Sequence, residues 1–408
     1  MSTSIKRRTS LLLGGAALGS LSMRARAQEK TVRIGVIQPM SGHQAAYGQQ
    51  GQAALQAVVS DINASGGIKS LGGAKLEMIL ADDGSQPSRT ASELRRLVTE
   101  ENVSVVIGTL LTNELLGATP VINEFKVPTL AFWGSVGKGD YVYSLTLPTG
   151  RGYAKTLCDF GLFLRDKGYS VKTAAIAYSN YEAGQDIARS LKQMLADKGI
   201  ETVAELPLDT SATDATPAML RIRSLKPDVV FGGVTVHEGT LLHQARYYLN
   251  YHDSLFAGGI GGFSDPVLWK NLGPEIAKTV LTRNFFGLTN FSLAGSTPGG
   301  TALIKELREK KIEPGQAEIV AAQGARVLQR VLELAGSTDR EAIRAAFDKV
   351  HIPAGDPDLY LMRADGISFA ADHFPADSTA LMIQWQLDQT QQIVFPAAYA
   401  QVPPRPKT

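Results

Sequence analysis

The sequence predicts an α/β protein built from doubly wound parallel sheets and divided into two domains. Three observations lead there. Short uncharged runs rich in β-branched residues alternate with helical patterns along the chain. The connections between them are short and carry Gly, Pro, Asp and Ser. About 380 residues of such sequence exceed what one hydrophobic core ordinarily serves.

The first 27 residues read as an export signal. Lys6, Arg7 and Arg8 precede an apolar run, Leu11 to Leu21, of 11 residues, too short to span a bilayer as a helix. Ala25-Arg26-Ala27 is a small-x-small cleavage site, so the mature chain is expected to begin at Gln28. The Arg7-Arg8 pair and the weakly hydrophobic, glycine-bearing run resemble a twin-arginine signal, with Ser10 where that signal usually carries Phe; Sec export is the alternative. Removing the segment takes away five basic residues and turns a formal charge of +2 into −3. That balance points to neither nucleic acid nor membrane insertion. Cys158 is the only cysteine, which excludes an intramolecular disulfide and a cysteine metal site.

The stretch that organises the first domain is VSVVIGTLLTNELLGATPVINEFKVPTLAFWGS, Val103 to Ser135. Val103 to Ile107 is a strand buried on both faces. Thr112 is placed to cap a helix carrying Leu115, Leu116, Ala118 and Ile122, and Val127 to Phe132 forms the next strand. Two parallel strands then end side by side with a helix start between them, the edge of an open α/β sheet at which ligands bind. Thr112 and Ser135 would offer hydroxyls to an anion there, helped by the free N–H groups of the helix start. The plainer alternative is that both hydroxyls cap local backbone. Glu114, in the first turn, would repel an anion unless it faced solvent.

Around this unit, Thr31 to Gln38 is a first strand, followed by a helix with Leu55, Val58, Val59 and Ile62 on one face, a strand at Leu76 to Ala81, and a helix capped by Ser88. Asp82-Asp83-Gly84 reads as a turn or hinge rather than a catalytic carboxylate pair. The chain crosses to the second domain at Pro148 to Arg151. There the alternation restarts, with strands at Thr173 to Ala177, Val203 to Leu208, Val229 to Phe231 and Leu255 to Ala257. Helices run between them, and the one from Tyr153 to Lys167 holds Cys158 in its core-facing side. Val280 to Phe286 is expected to cross back. Helices at Ala302 to Lys311, Gln316 to Leu334 and Asp339 to Val350 follow, the last opened by a Thr338-x-x-Glu341 capping box. Ile367 to Ala370, Thr379 to Leu387 and Gln391 to Phe395 are the final strands, and the C-terminal residues a solvated tail.

The order VRIGVIQPMSG, AAYGQ, INASGGI, ADDGSQPSRTASELRRLV, the 103–135 unit, KPDVVFGG and LLHQAR resembles the type I periplasmic binding proteins, and within them the leucine/isoleucine/valine-binding receptors of branched-chain amino acid ABC importers. The resemblance spans nearly the whole mature chain. It implies two Rossmann-like lobes joined by a three-segment hinge, with a first lobe of 28–148 plus 284–375, a second of 149–283 plus 376–400, and a tail of 401–408. It implies a small-molecule ligand in the interlobe cleft, importer permease subunits as partners, a monomer, and no cofactor. On the same resemblance Thr112 and Ser135 hold a ligand carboxylate beside the backbone of Trp133. Tyr181 covers the ligand, Tyr47 lines the cleft mouth, and Val234 or Thr235 forms a second-lobe wall. Ile260 stands about where the amino-acid receptors place the carboxylate that pairs with the α-ammonium; Asp265 and Glu238 are near in sequence and could substitute, but neither is in register. The expected ligand is therefore a small organic acid or amide, aromatic among others, in preference to leucine, isoleucine or valine.

Enzymatic readings lack their motifs: there is no G-x-x-x-x-G-K-[ST], G-x-G-x-x-G or G-x-S-x-G. The 258–262 glycines read as a turn at a strand end or as a phosphate loop. His237, Glu238 and His243 do not make a metal site, because six residues on a helix put the two histidines on different faces. A free-standing periplasmic sensor of the same fold is the alternative to an importer receptor. Replacing Arg7 and Arg8 by Lys should block export if the signal is twin-arginine, since Sec reads charge and hydrophobicity. Normal periplasmic yield of the double Lys variant would assign the signal to Sec.

Overall fold

A computed structural model of the chain describes Met1 and residues 31–133, 139–291, 293, 297–376 and 380–405. The export segment and Ser135 lie outside the described residues. Two sheets organise the rest. The first, β2-β1-β3-β4-β5, is wholly parallel: β1 Thr31–Gln38, β2 Lys75–Asp82, β3 Val105–Gly108, β4 Thr129–Ala131 and β5 Val142–Ser144. β3, β4 and β5 are short and fully buried, because helices cover both faces, whereas β2 at the sheet edge is mostly half-buried or exposed. On one face lie α1 Ala45–Ala64, α10 Pro298–Glu309, α11 Gln316–Ala335 and α12 Arg340–Phe347; on the other, α2 Pro87–Thr99 and α3 Thr112–Phe125.

The second sheet runs β12-β11-β10-β9-β8-β6-β7, from β6 Thr173–Ser179, β7 Glu201–Leu208, β8 Val229–Gly233, β9 Leu255–Gly259, β10 Phe285–Thr289, β11 Leu381–Trp385 and β12 Gln391–Phe395. Five strands are parallel and the last two antiparallel. Helices α4 Lys155–Asp166 and α5 Glu182–Asp197 cover one face. The other is covered by α6 Thr216–Leu225, α7 Val236–Tyr248, α8 Val267–Leu272 and α9 Pro274–Leu281. Cys158 is buried on α4.

Several expectations are corrected here. The chain does not cross back at 280–286: Phe285–Thr289 hydrogen-bonds between β9 and β11, so it completes the second sheet and the crossing follows it. Ile367 to Ala370 forms only isolated bridges, Ile352 with Ile367 and Phe369 with Pro375. Helix α2 starts from Gln86 with Pro87 in its first turn, not from Ser88, since proline's fixed φ and missing N–H suit that position. Asp339 rather than Thr338 caps α12, accepting from the Ala342 N–H at 3.0 Å. The end of the chain is not a free tail as far as Arg405. The Gln384 side-chain amide bonds the Arg405 backbone on both its N–H, 3.0 Å, and its C=O, 2.5 Å, and Pro404 is buried.

Gly258, in the glycine run, and its β8 partner Gly232 have a packing explanation. A Cβ on Gly232 would lie 2.1 Å from the Phe263 ring and one on Gly258 2.5 Å from it. The ring lies flat against β8 and β9, stacked on Phe285 at 5.0 Å, and the loop after β9 turns back over it. A methyl group at Gly232 must displace this ring. Gly232→Ala should lower stability by about 1–3 kcal/mol, the usual range for overpacking, read by chemical denaturation; an unchanged midpoint would remove the ring contact as the reason for the glycine.

Candidate functional site

Both sheets point the carboxyl ends of their parallel strands at one cleft. In the first, the order 2-1-3-4-5 reverses between β1 and β3, and connections diverge to opposite faces there, leaving a crevice. The second repeats it: β7-β6-β8-β9-β10 is the same order, with the reversal between β6 and β8. The loops leaving these strand ends line a space of about 700 Å³ not filled by protein atoms. From the first lobe come Gln44 and Tyr47 after β1, Leu110 to Thr112 after β3, and Trp133 after β4. From the second come Tyr181 after β6, Thr235 after β8, and Ile260 after β9. Six of the seven residues singled out from sequence thus share one wall; the seventh, Ser135, lies outside the described residues.

Each arrives with local chemistry. Thr112 is not the N-cap but the first helical residue of α3, buried; Leu111, in extended conformation, precedes it. Tyr47 and Trp133 meet with ring centroids 5.7 Å apart, an apolar wall next to that helix start. Thr235 caps the start of α7 geometrically, and its hydroxyl donates to Glu238, whose carboxylate also accepts from Ser179 Oγ at 2.8 Å. The Thr235 N–H donates in turn to Ser179 Oγ, 3.0 Å. Glu238 is therefore engaged in building the second-lobe wall and does not itself line the space. Ile260 sits at φ 59°, a left-handed conformation unusual for a β-branched residue. Its side chain, not a carboxylate, faces the cleft.

Sequence reasoning missed five polar neighbours: Gln44, Thr146, Thr149, Tyr153 and Gln316. Thr146 to Tyr153 lie where the chain first crosses between lobes, so a crossing that forms the cleft floor was the available signal. Thr149–Ala154 is a six-residue π turn, and the Thr149 hydroxyl donates to Asp186. Gln316, at the start of α11 in the first lobe, donates from Nε2 to Ser264 Oγ of the second at 2.7 Å, which ties the lobes together.

The electrostatics are unusual in one respect. No described residue lining the space carries a charged side chain. Acids sit just behind the wall instead. Glu114 does not face solvent; it is buried. Burial pushes its carboxyl up to about 8, with the Asp83 carboxylate adding to the effect, so it is neutral at pH 7 and does not repel an anion. Asp83 itself is pushed up to about 6, again first by burial. Its neighbour Asp82 goes the other way. Although desolvation opposes it, hydrogen bonds from Ser41, Gly84 and Met40 hold it down to about 2, in the turn role expected of it. Behind Gln316, Asp265 and Glu318 line a second space beside Trp269 and Trp385, pushed by burial up to about 6 and about 8. Asp265 thus stays out of the cleft wall. His243 Nε2 donates to Gly262 O at 2.8 Å, and burial drives the ring pKa down to about 3. Among the described residues no group of three His, Cys, Asp or Glu is placed to hold a metal ion.

Two α/β lobes with a cleft between facing sheet edges define a bilobal solute-binding protein. The chain belongs to the periplasmic binding protein family, whose profile matches residues 31–391. It is similar to the Leu/Ile/Val-binding protein homolog 7 of Brucella suis biovar 1 (strain 1330), 26% identical over 407 residues and spanning 95% of each chain. In fold it resembles the branched-chain amino acid transporter substrate binding protein LivJ from Streptococcus pneumoniae, solved with isoleucine: TM-score 0.76, 22% identity, 90% of this chain and 100% of that one. It equally resembles a solute binding protein of an ABC transporter from R. palustris, solved with 4-hydroxybenzoate: TM-score 0.75, 20% identity, 89% and 95%. As a member of this family it is a binding protein rather than an enzyme.

The buried acids set a pH dependence. A carboxyl whose pKa rises on folding keeps its proton in the native state after the unfolded chain has lost it. Its contribution is intact below the unfolded value near 4.3, declines as pH rises, and is fully lost above about 8. Glu114→Gln has no proton to lose. Its stability advantage over the natural protein should grow between pH 5 and 8, by up to ~1.4 kcal/mol per pH unit, and level off beyond. Parallel melting curves for the two proteins from pH 5 to 9 would contradict a neutral Glu114.

Proposed function

We propose that the protein is the solute-binding receptor of an ABC importer, exported to the periplasm, and that it captures a small carboxylate-bearing or amide ligand without an α-ammonium in the interlobe cleft. The single observation that carries the ligand class is the uncharged lining. A buried ammonium needs a carboxylate or several oxygen acceptors, since an unpaired ion costs several kcal/mol out of water. The described cleft lining offers no carboxylate, Ile260 is part of it, and Glu238 and Asp265 are engaged elsewhere. An anion, by contrast, meets only neutral groups: the Thr112 side chain, the start of α3, and the Tyr181 hydroxyl of the second lobe. Ser135 would add another. Tyr47, Trp133 and Tyr181 offer flat apolar surface around that point, which suits an aromatic or branched body. Permease subunits are the partners this role implies, and the receptor acts as a monomer.

Thermal-shift screening of the mature protein against α-amino acids, aromatic acids, aliphatic acids and amides tests the assignment. A ligand at 100 times its dissociation constant stabilises the folded form by ~2.7 kcal/mol. Aromatic or aliphatic acids should raise the melting temperature; a shift with leucine and none with 4-methylpentanoate would reverse the ligand class. For the acid that binds, Thr112→Ala should weaken affinity by about tenfold to a hundredfold, the worth of one hydrogen bond to a charged group. An affinity indifferent to that change would move the carboxylate elsewhere in the cleft.

A further inference from the structure

The three crossings between the lobes meet at one hydrogen-bonded chain, and that chain ends in the cleft. Tyr153 lies on the π turn after the first crossing and lines the cleft. Asn290 begins the second crossing, directly after β10, and Arg363 belongs to the third. The Met362 N–H donates to Asn290 O at 2.7 Å, so the second and third crossings are joined through backbone as well. Arg363 Nη1 and Nη2 each lie 3.3 Å from Asn290 Oδ1, and Asn290 Nδ2 lies 2.7 Å from the Tyr153 hydroxyl oxygen. All three side chains are buried.

Proton bookkeeping gives this chain a direction. A guanidinium only donates, so the Asn290 atom facing it must be the carbonyl oxygen. The amide nitrogen then faces Tyr153, and an amide nitrogen only donates. Tyr153 therefore accepts from Asn290 and cannot give its own proton back along the same line. No other hydrogen bond of its hydroxyl is made among the described residues, and the phenol lies close enough to those of Tyr47 and Tyr181, both on the cleft wall, to interact with them electrostatically. Successive donors starting from a cation also polarise one another, which strengthens the last O–H as a donor. Tyr47 and Tyr181 differ: among the described residues no hydrogen bond holds either hydroxyl, so each is free to turn as donor or acceptor.

We infer that Tyr153 is a specificity-determining residue whose hydroxyl is held as a hydrogen-bond donor into the cleft by Asn290 and Arg363, so that the ligand atom it meets is an acceptor, a carboxylate or carbonyl oxygen. Asn290 is the positioning residue. The inference rests on the cleft being the ligand site, and it deepens that reading. An amide can present its carbonyl oxygen there, but a carboxylate accepts more strongly, so the position favours the acid over the amide, and the favouring group is tied to all three hinge segments.

The test has two arms. Neutron diffraction from the deuterated ligand-free protein locates the protons directly. The expected map shows deuterium on the Asn290 nitrogen facing Tyr153 and the Tyr153 deuteron turned to the cleft; a Tyr153 deuteron pointing at Asn290 overturns the inference. In the second arm, 4-hydroxybenzoate, 4-hydroxybenzamide, 4-methylpentanoate and 4-methylpentanamide are titrated calorimetrically into the natural protein, Tyr153→Phe and Asn290→Asp. Aspartate at 290 accepts from both Arg363 and Tyr153, so it reverses the hydroxyl while keeping an acceptor for Arg363. Acid affinity should fall about tenfold or more in both variants, and the ratio of acid to amide affinity should shrink most in Asn290→Asp, which simple loss of hinge packing would not do. Unchanged ratios in both folded variants overturn the inference. A panel in which no probe binds the natural protein overturns the ligand class proposed above, and the neutron map then decides the direction of the Tyr153 donor by itself.

Discussion

Everything in this molecule depends on a constraint of parallel sheets. Parallel strands all finish at one edge, and their connections leave from that edge toward helices on both faces. Where the order reverses, between β1 and β3 and again between β6 and β8, the connections part and leave a crevice. Two such sheets, set with their carboxyl edges toward each other, make a single cleft that no short segment of chain could build. The wall is then assembled by position alone. Tyr181 stands in the second lobe where Tyr47 and Gln44 stand in the first, Thr235 where Thr112 stands, and Ile260 where Trp133 stands, each pair leaving the corresponding strand.

The charges follow from the same architecture. A cleft between two hydrophobic cores is a poor place for an ion, and here the ionisable groups stand one layer back. Glu114 and Asp83 lie behind the first-lobe wall, and Asp265 and Glu318 behind Gln316. In both pairs burial raises the carboxyl pKa, because removing water penalises the charged form more than nearby donors favour it. Glu238 has two hydroxyl donors, from Ser179 and Thr235. The interior is thus polar without being charged, and its hydrogen bonds are held by groups whose orientation is set from outside the cleft. Gln316 adds a direct tie between lobes through Ser264, so the wall and the closure of the two halves are mechanically one thing.

Much of this was legible in the sequence, for identifiable reasons. Strands buried on both faces must be short, uncharged and β-branched, and Val105–Gly108 and Val229–Gly233 announce themselves that way. Helices that bury one stripe repeat every three or four residues, as Leu55, Val58, Val59 and Ile62 do. What failed were features decided by long-range contact. β10 looks like a connection because its place in the sheet depends on β9 and β11, the latter nearly a hundred residues later. Arg405 looks like tail because its partner, Gln384, is on another strand. The repeated strand order of the two lobes left no repeat in sequence, since a parallel sheet asks only for buried residues at alternating stretches and not for particular ones.

By itself the sequence determined the fold class and most of the elements, because burial, periodicity and turn chemistry are local requirements written into neighbouring residues; of the cleft residues it pointed to Thr112, and the resemblance to the family supplied Tyr47, Trp133, Tyr181, Thr235 and Ile260. Only the tertiary structure decided which polar groups stay charged. Glu114 in a first helical turn reads as an acid that would repel an anion unless it faced solvent, and packing makes it a neutral one; Glu238 reads as a possible cleft carboxylate, and Ser179, 59 residues earlier, engages it. Tyr153, Asn290 and Arg363 are far apart in the chain and carry no motif. Their hydrogen-bonded order exists only where the three crossings come together, because the direction of a hydrogen bond is settled by which donor faces which acceptor in space.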